Sequence, residues 1–183
     1  MKQEFDVKID YRAFFLRPDI PPEGVPRPER YNRPDSPVQR MAKEAGLEMN
    51  RPALTPSTRL ALEATEYAKL KGVGEEFHMA AYEAYWREGV DLGKVENLKP
   101  IGDSVGLDWS DLSRDLNERT HKESVENQYQ EALGVGVTGI PAYVLGKFFF
   151  TGAQPYDLFK QVAERALMNA ERDEDAEGES PAS

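Results

Sequence analysis

The stretch Gly136-Val-Thr-Gly-Ile-Pro-Ala-Tyr-Val-Leu145 begins the most specific pattern in the chain. Its last four residues, 142–145, and the later run 148–151 are short and apolar, and the dipeptide Gly146-Lys147 joins them. Two such runs with a two-residue connection are typical of a β-hairpin, and glycine can supply the positive φ that the turn needs. The sequence therefore predicts a hairpin whose first strand follows a proline-containing loop.

Three glycines before the hairpin, Gly134, Gly136 and Gly139, match the pattern G-x-G-x-x-G. A dinucleotide site requires a strand before these glycines and a helix after them, so that the helix N-terminus faces the pyrophosphate. Here a helical pattern precedes the glycines and a strand pattern follows them. The order predicts a helix cap and a sharp turn into the hairpin, without a bound cofactor.

The N-terminal residues alternate between apolar and charged side chains, which predicts a half-buried strand. Its apolar positions are Val7, Ile9, Tyr11 and Ala13, followed by the run Phe14-Phe15-Leu16. Seven of the 13 prolines then fall between Arg17 and Pro37. Since proline fixes φ and lacks a hydrogen-bond donor, this stretch is predicted to be an extended loop.

The middle of the chain changes to a period of about 3.6, which predicts helices. Ser36 with Pro37, and Asp108, have the character of N-terminal caps. The predicted helices are Ser36–Gly46, one from Ser57 or Thr58 to Gly72, Glu75–Glu88, a weaker one between Leu92 and Val105, Asp108–Leu116, Thr120–Leu133 and a last one from Pro155. No internal repeat is present.

Composition excludes several classes of function. The 183 residues contain no cysteine, which excludes thiol catalysis, disulfides and zinc–thiolate sites within this chain. The two histidines, His78 and His121, lack the neighbours of a catalytic triad or a metal pair. A net charge of −10 disfavours nucleic acid and anionic membranes as partners. With no apolar span and no apolar N-terminal signal, we expect a cytoplasmic protein without metal or cofactor.

A family resemblance emerges from the order of several motifs. Thr138-Gly-Ile-Pro-Ala-Tyr-Val144, followed by Gly152-Ala-Gln-Pro155 and an amphipathic helix, resembles the end of DsbA-family thioredoxin-like proteins, most of all their cytosolic FrnE-type branch. Further similar segments are Arg12–Pro18, Pro22–Gly24, Ala45–Leu47, Thr58 with Ala61, Gly89–Leu92 and Val105–Asp108. The resemblance covers roughly residues 5–168.

The resemblance implies an α/β fold, with a thioredoxin-like, DsbA-type sheet and an all-helical insertion. The expected organisation is a thioredoxin-like core of residues 1–35 and 135–170, a helical insertion of residues 36–134 and a disordered acidic tail of residues 171–183. The tail carries six acidic residues against Arg172, a composition that favours disorder. The implied function is that of the dithiol-disulfide oxidoreductase group, with a protein or peptide as substrate.

The resemblance also implies a site. In that family the proline of this motif is cis and faces a dithiol, and the residue before it pairs with an extended substrate. The corresponding substrate-binding loop here is Thr138, Gly139, Ile140 and Pro141. The family's first strand and its Cys-x-x-Cys helix have no counterpart in this sequence. We therefore expect a fold truncated at its N-terminus, with no catalytic residue and no redox activity in the chain as written.

The missing strand would leave an open sheet edge, which invites pairing with another chain. Phe14, Phe15 and Trp86 could then line an exposed groove. Three explanations are open: a start site assigned too far downstream, a natural fragment that pairs with a partner or with itself, and a binding module whose insertion helices fill the gap. The first is preferred.

Two further function classes also stay open. One is a non-catalytic module that binds peptides or dimerises through the open edge. The other is a relative of the glutathione-dependent isomerases and kappa-class transferases. The second is less supported, because Ala153-Gln154 stands where those proteins resemble each other in carrying an acidic residue and an arginine.

Overall fold

Seven helices and two short two-stranded sheets make up the part of the chain that the structure describes, residues 1–28, 36–50 and 52–178 of a computed structural model. The elements in order are β1 (Val25–Pro26), α1 (Pro37–Glu44), β2 (Leu54–Thr55), α2 (Arg59–Leu70), α3 (Gly74–Trp86), α4 (Val95–Ser104), α5 (Trp109–Glu118), α6 (Lys122–Gly134), β3 (Ala142–Leu145), β4 (Phe148–Thr151) and α7 (Tyr156–Gly178). None of these helices combines the length and apolar character needed to cross a lipid bilayer.

The predicted helices are confirmed, and so are two of their caps. The Ser36 hydroxyl accepts a hydrogen bond from the backbone N–H of Gln39 at 3.3 Å. The Asp108 carboxylate accepts one from the N–H of Asp111 at 2.9 Å. Such caps satisfy N–H groups that have no partner within the helix. The weaker predicted helix begins at Val95, three residues later than the start allowed by its pattern.

The chain forms two compact units, one of residues 1–11 together with Ala132 onward and one of residues 12–131. The predicted boundary fell at residues 35 and 36, whereas the structure places the first division between Tyr11 and Arg12. Residues 12–28 therefore belong to the 12–131 unit, which we call the helical unit. Residues 29–35, the end of the predicted first core segment, lie outside the described residues.

The core of the 12–131 unit is formed by α2, α3, α4 and α5. Alanines on α2, including Ala64 and Ala68, have no exposed surface, and their small size allows neighbouring helices to approach closely. The large side chains buried against them are Phe77, Leu98, Leu112 and Leu116. Burial of each such side chain stabilises the fold by about 1.5–3 kcal/mol.

A buried ion pair ties α2 to the residue after α5. The Glu63 side chain is only 2% exposed, and the Arg119 guanidinium donates two hydrogen bonds to it, at 2.8 and 2.5 Å. Arg119 itself has a φ of 56°, in the left-handed region that usually favours glycine. An arginine is found in this conformation because its side chain pairs with the buried carboxylate of Glu63.

Gly102 lies where α4 and α5 approach most closely. A Cβ atom at this position would lie 2.9 Å from Cδ2 of Leu112, which is fully buried and cannot retreat. We expect Gly102→Ala to lower the free energy of unfolding by about 1–3 kcal/mol relative to Gly134→Ala, an open position at the end of α6. Both changes carry the same gain in helix propensity, so urea unfolding of the two variants measures the clash. Equal stabilities would contradict this packing.

A second, smaller core cluster lies beside α6 and corrects the predicted N-terminal strand. Ala13 and Phe15 are buried with Val125, but no strand is assigned to residues 6–16. The N–H of Ala13 donates to the side-chain Oε1 of Gln128 at 2.7 Å, where a strand would pair with a neighbouring backbone carbonyl. Of the predicted apolar positions, Ala13 is buried whereas Ile9 is 44% exposed, and the strand itself is absent from these residues.

The other unit contains the predicted hairpin, which is confirmed. Strands β3 and β4 pair antiparallel, with Tyr143 opposite Phe150 and Val144 opposite Phe149. Gly146 has a φ of 58° in the two-residue turn. On one face, the Tyr143 and Phe150 rings stack at 5.1 Å, and both meet Phe159 of α7 edge-on at 4.8 and 5.1 Å. This aromatic cluster fixes the hairpin on α7.

Helix α7 continues to Gly178, so its backbone includes the first eight residues of the tail that is predicted to start at Glu171. The first glycine or proline after Pro155 is Gly178, and the intervening alanine, glutamate and arginine residues favour helix. Acidic composition alone therefore did not end the helix. Residues 179–183 of the predicted tail lie outside the described residues.

Candidate functional site

The loop Thr138–Pro141 connects α6 to β3. The side chains of Thr138, Ile140 and Pro141 are exposed, and Ile140 retains 47% of its accessible surface. The Ile140–Pro141 peptide bond is cis. The carbonyl of Pro141 accepts a hydrogen bond from the N–H of Gly152 at 2.8 Å, which extends the pairing of the hairpin by one step. The loop is therefore held against the end of β4 while its side chains face outward.

The outer face of the hairpin is apolar and uncovered. Val144 and Phe149 lie directly opposite each other on this face, 68% and 45% exposed, while their neighbours Tyr143 and Phe150 contact α7. Because β3 follows the loop directly, we treat the loop Thr138–Pro141 with Val144 and Phe149 as one feature, the loop–hairpin surface. Large exposed apolar side chains next to each other mark interaction sites more often than isolated ones do.

The three residues predicted to line a groove have separate surroundings. The rings of Phe14 and Phe15 pack against Tyr129, with centroids 5.2 and 5.1 Å away. Trp86 instead contacts Tyr85 at 4.8 Å and lies 5.4 Å from the Arg27 guanidinium. Phe15 is buried, and the other two are half-buried. These contacts give all three a packing role within the helical unit.

A polar cleft of about 570 Å³ lies on the helical unit and was not predicted. At its floor, Glu66 accepts hydrogen bonds from Gln128 at 2.7 Å and from Ser124 at 3.3 Å, and it pairs with Lys69 at 2.8 Å. In the sequence, this cleft is indicated only by the polar residues that recur at every third or fourth position of α6. The cleft is lined by Arg12, Glu66, Thr120, Glu123, Ser124, Asn127, Gln128 and Glu131. Because Gln128 donates a hydrogen bond to Glu66 and accepts one from the N–H of Ala13, the network connects α2, α6 and the N-terminal segment.

The two histidines lie in different surroundings. The His78 ring packs against Tyr82 with centroids 4.7 Å apart and the ring planes tilted by 51°. Burial, and to a smaller extent the nearby charge of Lys69, lowers the pKa of its imidazole. His121 lies 3.4 Å from the Asp115 carboxylate and contacts the Tyr67 ring. Within residues 1–28, 36–50 and 52–178, no three acidic or histidine side chains are arranged to hold a metal ion. The histidines thus contribute to packing in the helical unit.

The glycine-rich segment follows the predicted order of elements. Helix α6 ends at Gly134 and strand β3 begins at Ala142, so a helix precedes the glycines and a strand follows them. This is the reverse of the order that places a helix N-terminus against a pyrophosphate. The cap is formed by Gly136, which has a φ of 87° and donates its N–H to the carbonyl of Leu133 at 3.0 Å, whereas Gly134 is the last residue of α6 itself.

Comparison with known proteins places the fold. A solved structure of a probable DsbA oxidoreductase from Streptomyces coelicolor superimposes with a TM-score of 0.72 at 24% sequence identity, covering 85% of this chain and 74% of the other. The uncharacterized protein YwbO of Bacillus subtilis (strain 168) is 28% identical over 164 residues, which are 85% of this chain and 80% of that protein. The sequence profile described as DSBA-like thioredoxin domain matches residues 1–164.

The profile match spans the whole 12–131 unit and the whole hairpin, and the structural match agrees with it. The motifs around Pro141 that carry the resemblance therefore lie inside the matched region. The chain belongs to the family of DSBA-like thioredoxin domains.

Proposed function

We propose that this chain binds extended polypeptide segments at its loop–hairpin surface and catalyses no thiol–disulfide exchange by itself. The observation that carries the proposal is the exposure of Ile140 in the loop and of Val144 and Phe149 on one face of the hairpin, whose other face packs on Phe159. Members of this family that act on disulfides do so on protein substrates. We therefore propose that this chain shares the binding of polypeptides with those members but does not carry out their redox step.

The absence of cysteine supports the second half of the proposal. Thiol–disulfide exchange begins with attack of a thiolate on a disulfide sulfur, and none of the 183 residues can supply that thiolate. The resemblance to the cytosolic FrnE-type branch further supports a cytoplasmic location. Fractionation of the native cells beside a cytoplasmic marker protein tests this location, and recovery with a secreted marker would contradict it.

The backbone of the hairpin supports binding by addition of a peptide strand to its edge. Within the described residues, β3 and β4 pair only with each other, so each strand keeps one edge without a neighbouring strand. An extended peptide can add to such an edge through main-chain hydrogen bonds, while alternate side chains contact the adjacent face. The proposed peptide would cover Val144 and Phe149 in this way.

Val144→Asp should weaken the binding of an apolar, blocked peptide at least about tenfold. Covering a valine contributes about 1.5–3 kcal/mol, and each 1.4 kcal/mol corresponds to a tenfold change in affinity. Fluorescence anisotropy with a labelled peptide measures the effect. Leu167→Asp, at a 55% exposed position of α7, is the matched control and should bind like the unchanged chain. Equal binding by both variants would place the peptide elsewhere.

The unchanged protein should reduce insulin with dithiothreitol no faster than a blank without protein. The reason is chemical, since the chain has no sulfhydryl to form the mixed disulfide. The turbidity of precipitating insulin chains provides the measurement, with a thioredoxin as positive control. Turnover above the blank would contradict the proposed lack of exchange activity.

A further inference from the structure

The main chain of β4 has one edge that the hairpin does not use. The N–H of Gly152 bonds to the carbonyl of Pro141 across the hairpin, and the residue pairs of an antiparallel ladder alternate between bonded and non-bonded. In the register of β3 and β4, the N–H and C=O groups of Phe149 and Thr151 therefore point away from β3. Among the described residues, no strand pairs with this edge. Strand β4 thus offers main-chain donors and acceptors to a further strand.

The β4 edge lacks the features that usually protect an edge strand. Natural proteins block such edges with charged residues, proline or a bulge, because an unprotected edge pairs with another strand. The strand Phe148–Thr151 contains no proline and no charged residue, and Phe149 is 45% exposed. Lys147, in the turn before β4, is the single charged residue in the whole stretch 132–155. The edge is therefore open to pairing.

We propose that the β4 edge pairs with the β4 edge of a second copy, so that two hairpins form one four-stranded antiparallel sheet. A two-fold axis at Phe149, the middle of the free edge, pairs residues 147–151 of both copies. The N–H of each Phe149 then donates to the carbonyl of the other, and the two rings meet on the outer face, where cross-strand aromatic pairs stabilise a sheet. The same register places Thr151, and no second lysine, opposite Lys147. Because each β4 edge is used once, this contact closes at two copies.

The distribution of charge favours a second copy at this edge over one elsewhere on the chain. Residues 1–11 and 132–170 carry five acidic and five basic side chains, whereas residues 12–131 have a net charge of −5. Like charge suppresses association. Two copies can therefore approach through their hairpins without the repulsion that their helical units would meet.

Helix α7 is directed so that its acidic end does not oppose the pairing. A Cβ atom at Gly146 would lie 3.3 Å from Cβ of Ala166, while Phe159, seven residues earlier, contacts the middle of both strands. The helix therefore runs towards the turn, and its continuation after Ala170 lies beyond the turn. In an antiparallel pair of β4 strands the two turns lie at opposite ends of the sheet. The acidic ends of the two α7 helices then stay apart.

The dimer goes beyond the proposed function and leaves room for it. By the same alternation, the main-chain groups of Val144 point to the outer edge of β3, which follows the loop Thr138–Pro141 directly. In the four-stranded sheet the two β3 strands are outermost, so a peptide can add to either of them. The dimer would carry two peptide sites.

Sedimentation equilibrium of the full chain tests the dimer. At submillimolar concentration the measured mass should be twice the 20.6 kDa of one chain. Phe149→Lys places two like charges opposite each other and removes the aromatic pair, so it should raise the dimer dissociation constant at least about tenfold. Met79→Lys, at a 52% exposed position of the helical unit, is the matched control and should dimerise like the unchanged chain. A monomer at every concentration would overturn the inference.

The lack of cysteine allows a direct test of the register. Phe149→Cys introduces one thiol into a chain that has none, and the two Cα atoms of the proposed pair would lie about 5.5 Å apart, within the range of a disulfide. Mild oxidation should therefore crosslink Phe149→Cys into a dimer on a non-reducing gel. In Val144→Cys the two Cα atoms would lie three strand spacings apart, ~14 Å, which is too far for a disulfide. That variant should stay monomeric on the gel, although Val144 is 68% exposed.

The outcomes separate this inference from the proposed function. If Val144→Cys crosslinks as fast as Phe149→Cys, the contact is random or uses the β3 edge, and the inference is wrong. If saturating peptide dissociates the dimer, both compete for the β4 edge and the proposed arrangement is also wrong. A monomeric chain that binds peptide would remove the dimer and leave the proposed function in place. A dimer that binds no peptide would support the inference and contradict the proposed function alone.

Discussion

Phe77→Ala should lower the free energy of unfolding by about 3–5 kcal/mol, the largest loss expected from a single truncation in this chain. The Phe77 side chain has no exposed surface and lies in the main cluster between α2, α3 and the helices that follow. Its removal leaves a cavity that the close-packed alanines of α2 cannot fill, because a methyl side chain is fixed to the backbone and cannot turn into it. Urea denaturation followed by far-ultraviolet circular dichroism measures the change.

Met79→Ala is the matched control on the same helix. Its side chain is 52% exposed, so the variant should lie within about 0.5 kcal/mol of the unchanged chain. If both variants lose equal stability, α3 does not bury Phe77 as described and the helical core is assigned incorrectly. The denaturant slope should stay constant, since a changed slope would indicate a different extent of unfolding.

Arg119→Ala should cost about 3 kcal/mol, because it leaves the carboxylate of Glu63 buried and without its counter-ion. The asymmetry in exposure decides which partner matters more, since Glu63 is 2% exposed and Arg119 is 39% exposed. Removal of Glu63 instead leaves the Arg119 guanidinium, which can turn towards water. We therefore expect Glu63→Ala to lower the free energy of unfolding less than Arg119→Ala does.

Arg119→Lys separates the charge of this residue from its geometry. Lysine keeps the positive charge but cannot make the two parallel hydrogen bonds that arginine donates to Glu63. Its free energy of unfolding should lie between those of Arg119→Ala and the unchanged chain, measured by the same urea titration. A lysine variant no more stable than the alanine variant would show that the bidentate geometry carries the whole effect.

Elements marked by local signals could be predicted from the sequence. Ser36, Asp108 and Gly146 each act within a few residues, through a cap or a turn, and the structure has the helices and the hairpin where these residues place them. The order of motifs around Pro141 likewise predicted the family. Local chemistry does not depend on distant partners, which is why these predictions held.

Features that depend on distant partners could not be predicted. The apolar alternation at Ala13 and Phe15 is typical of a strand, but a side chain 115 residues away, that of Gln128, takes the N–H that a strand would pair. The buried pair of Glu63 and Arg119 likewise joins residues 56 apart in the chain. No local pattern shows which of the two acidic residues on α2, Glu63 and Glu66, becomes fully buried.

The candidate site was predicted in part. The loop residues were identified through the family resemblance, whereas Phe149 was recognised only as a member of a hairpin. The exposure of Val144 and Phe149 follows from the contact of the opposite face with Phe159 of α7, since alternate residues of a strand point to opposite faces. Which face an α-helix covers is set by tertiary packing and not by the alternation itself.

Nuclear magnetic resonance of the isotopically labelled chain, titrated with a blocked apolar peptide, tests the central claim most directly. The account predicts that the backbone amide signals of Thr138, Ile140, Val144 and Phe149 shift together with one dissociation constant, while those of α2 to α5 stay in place. Shifts that fall on the polar cleft around Glu66 and Gln128, with the loop–hairpin signals unchanged, would contradict it.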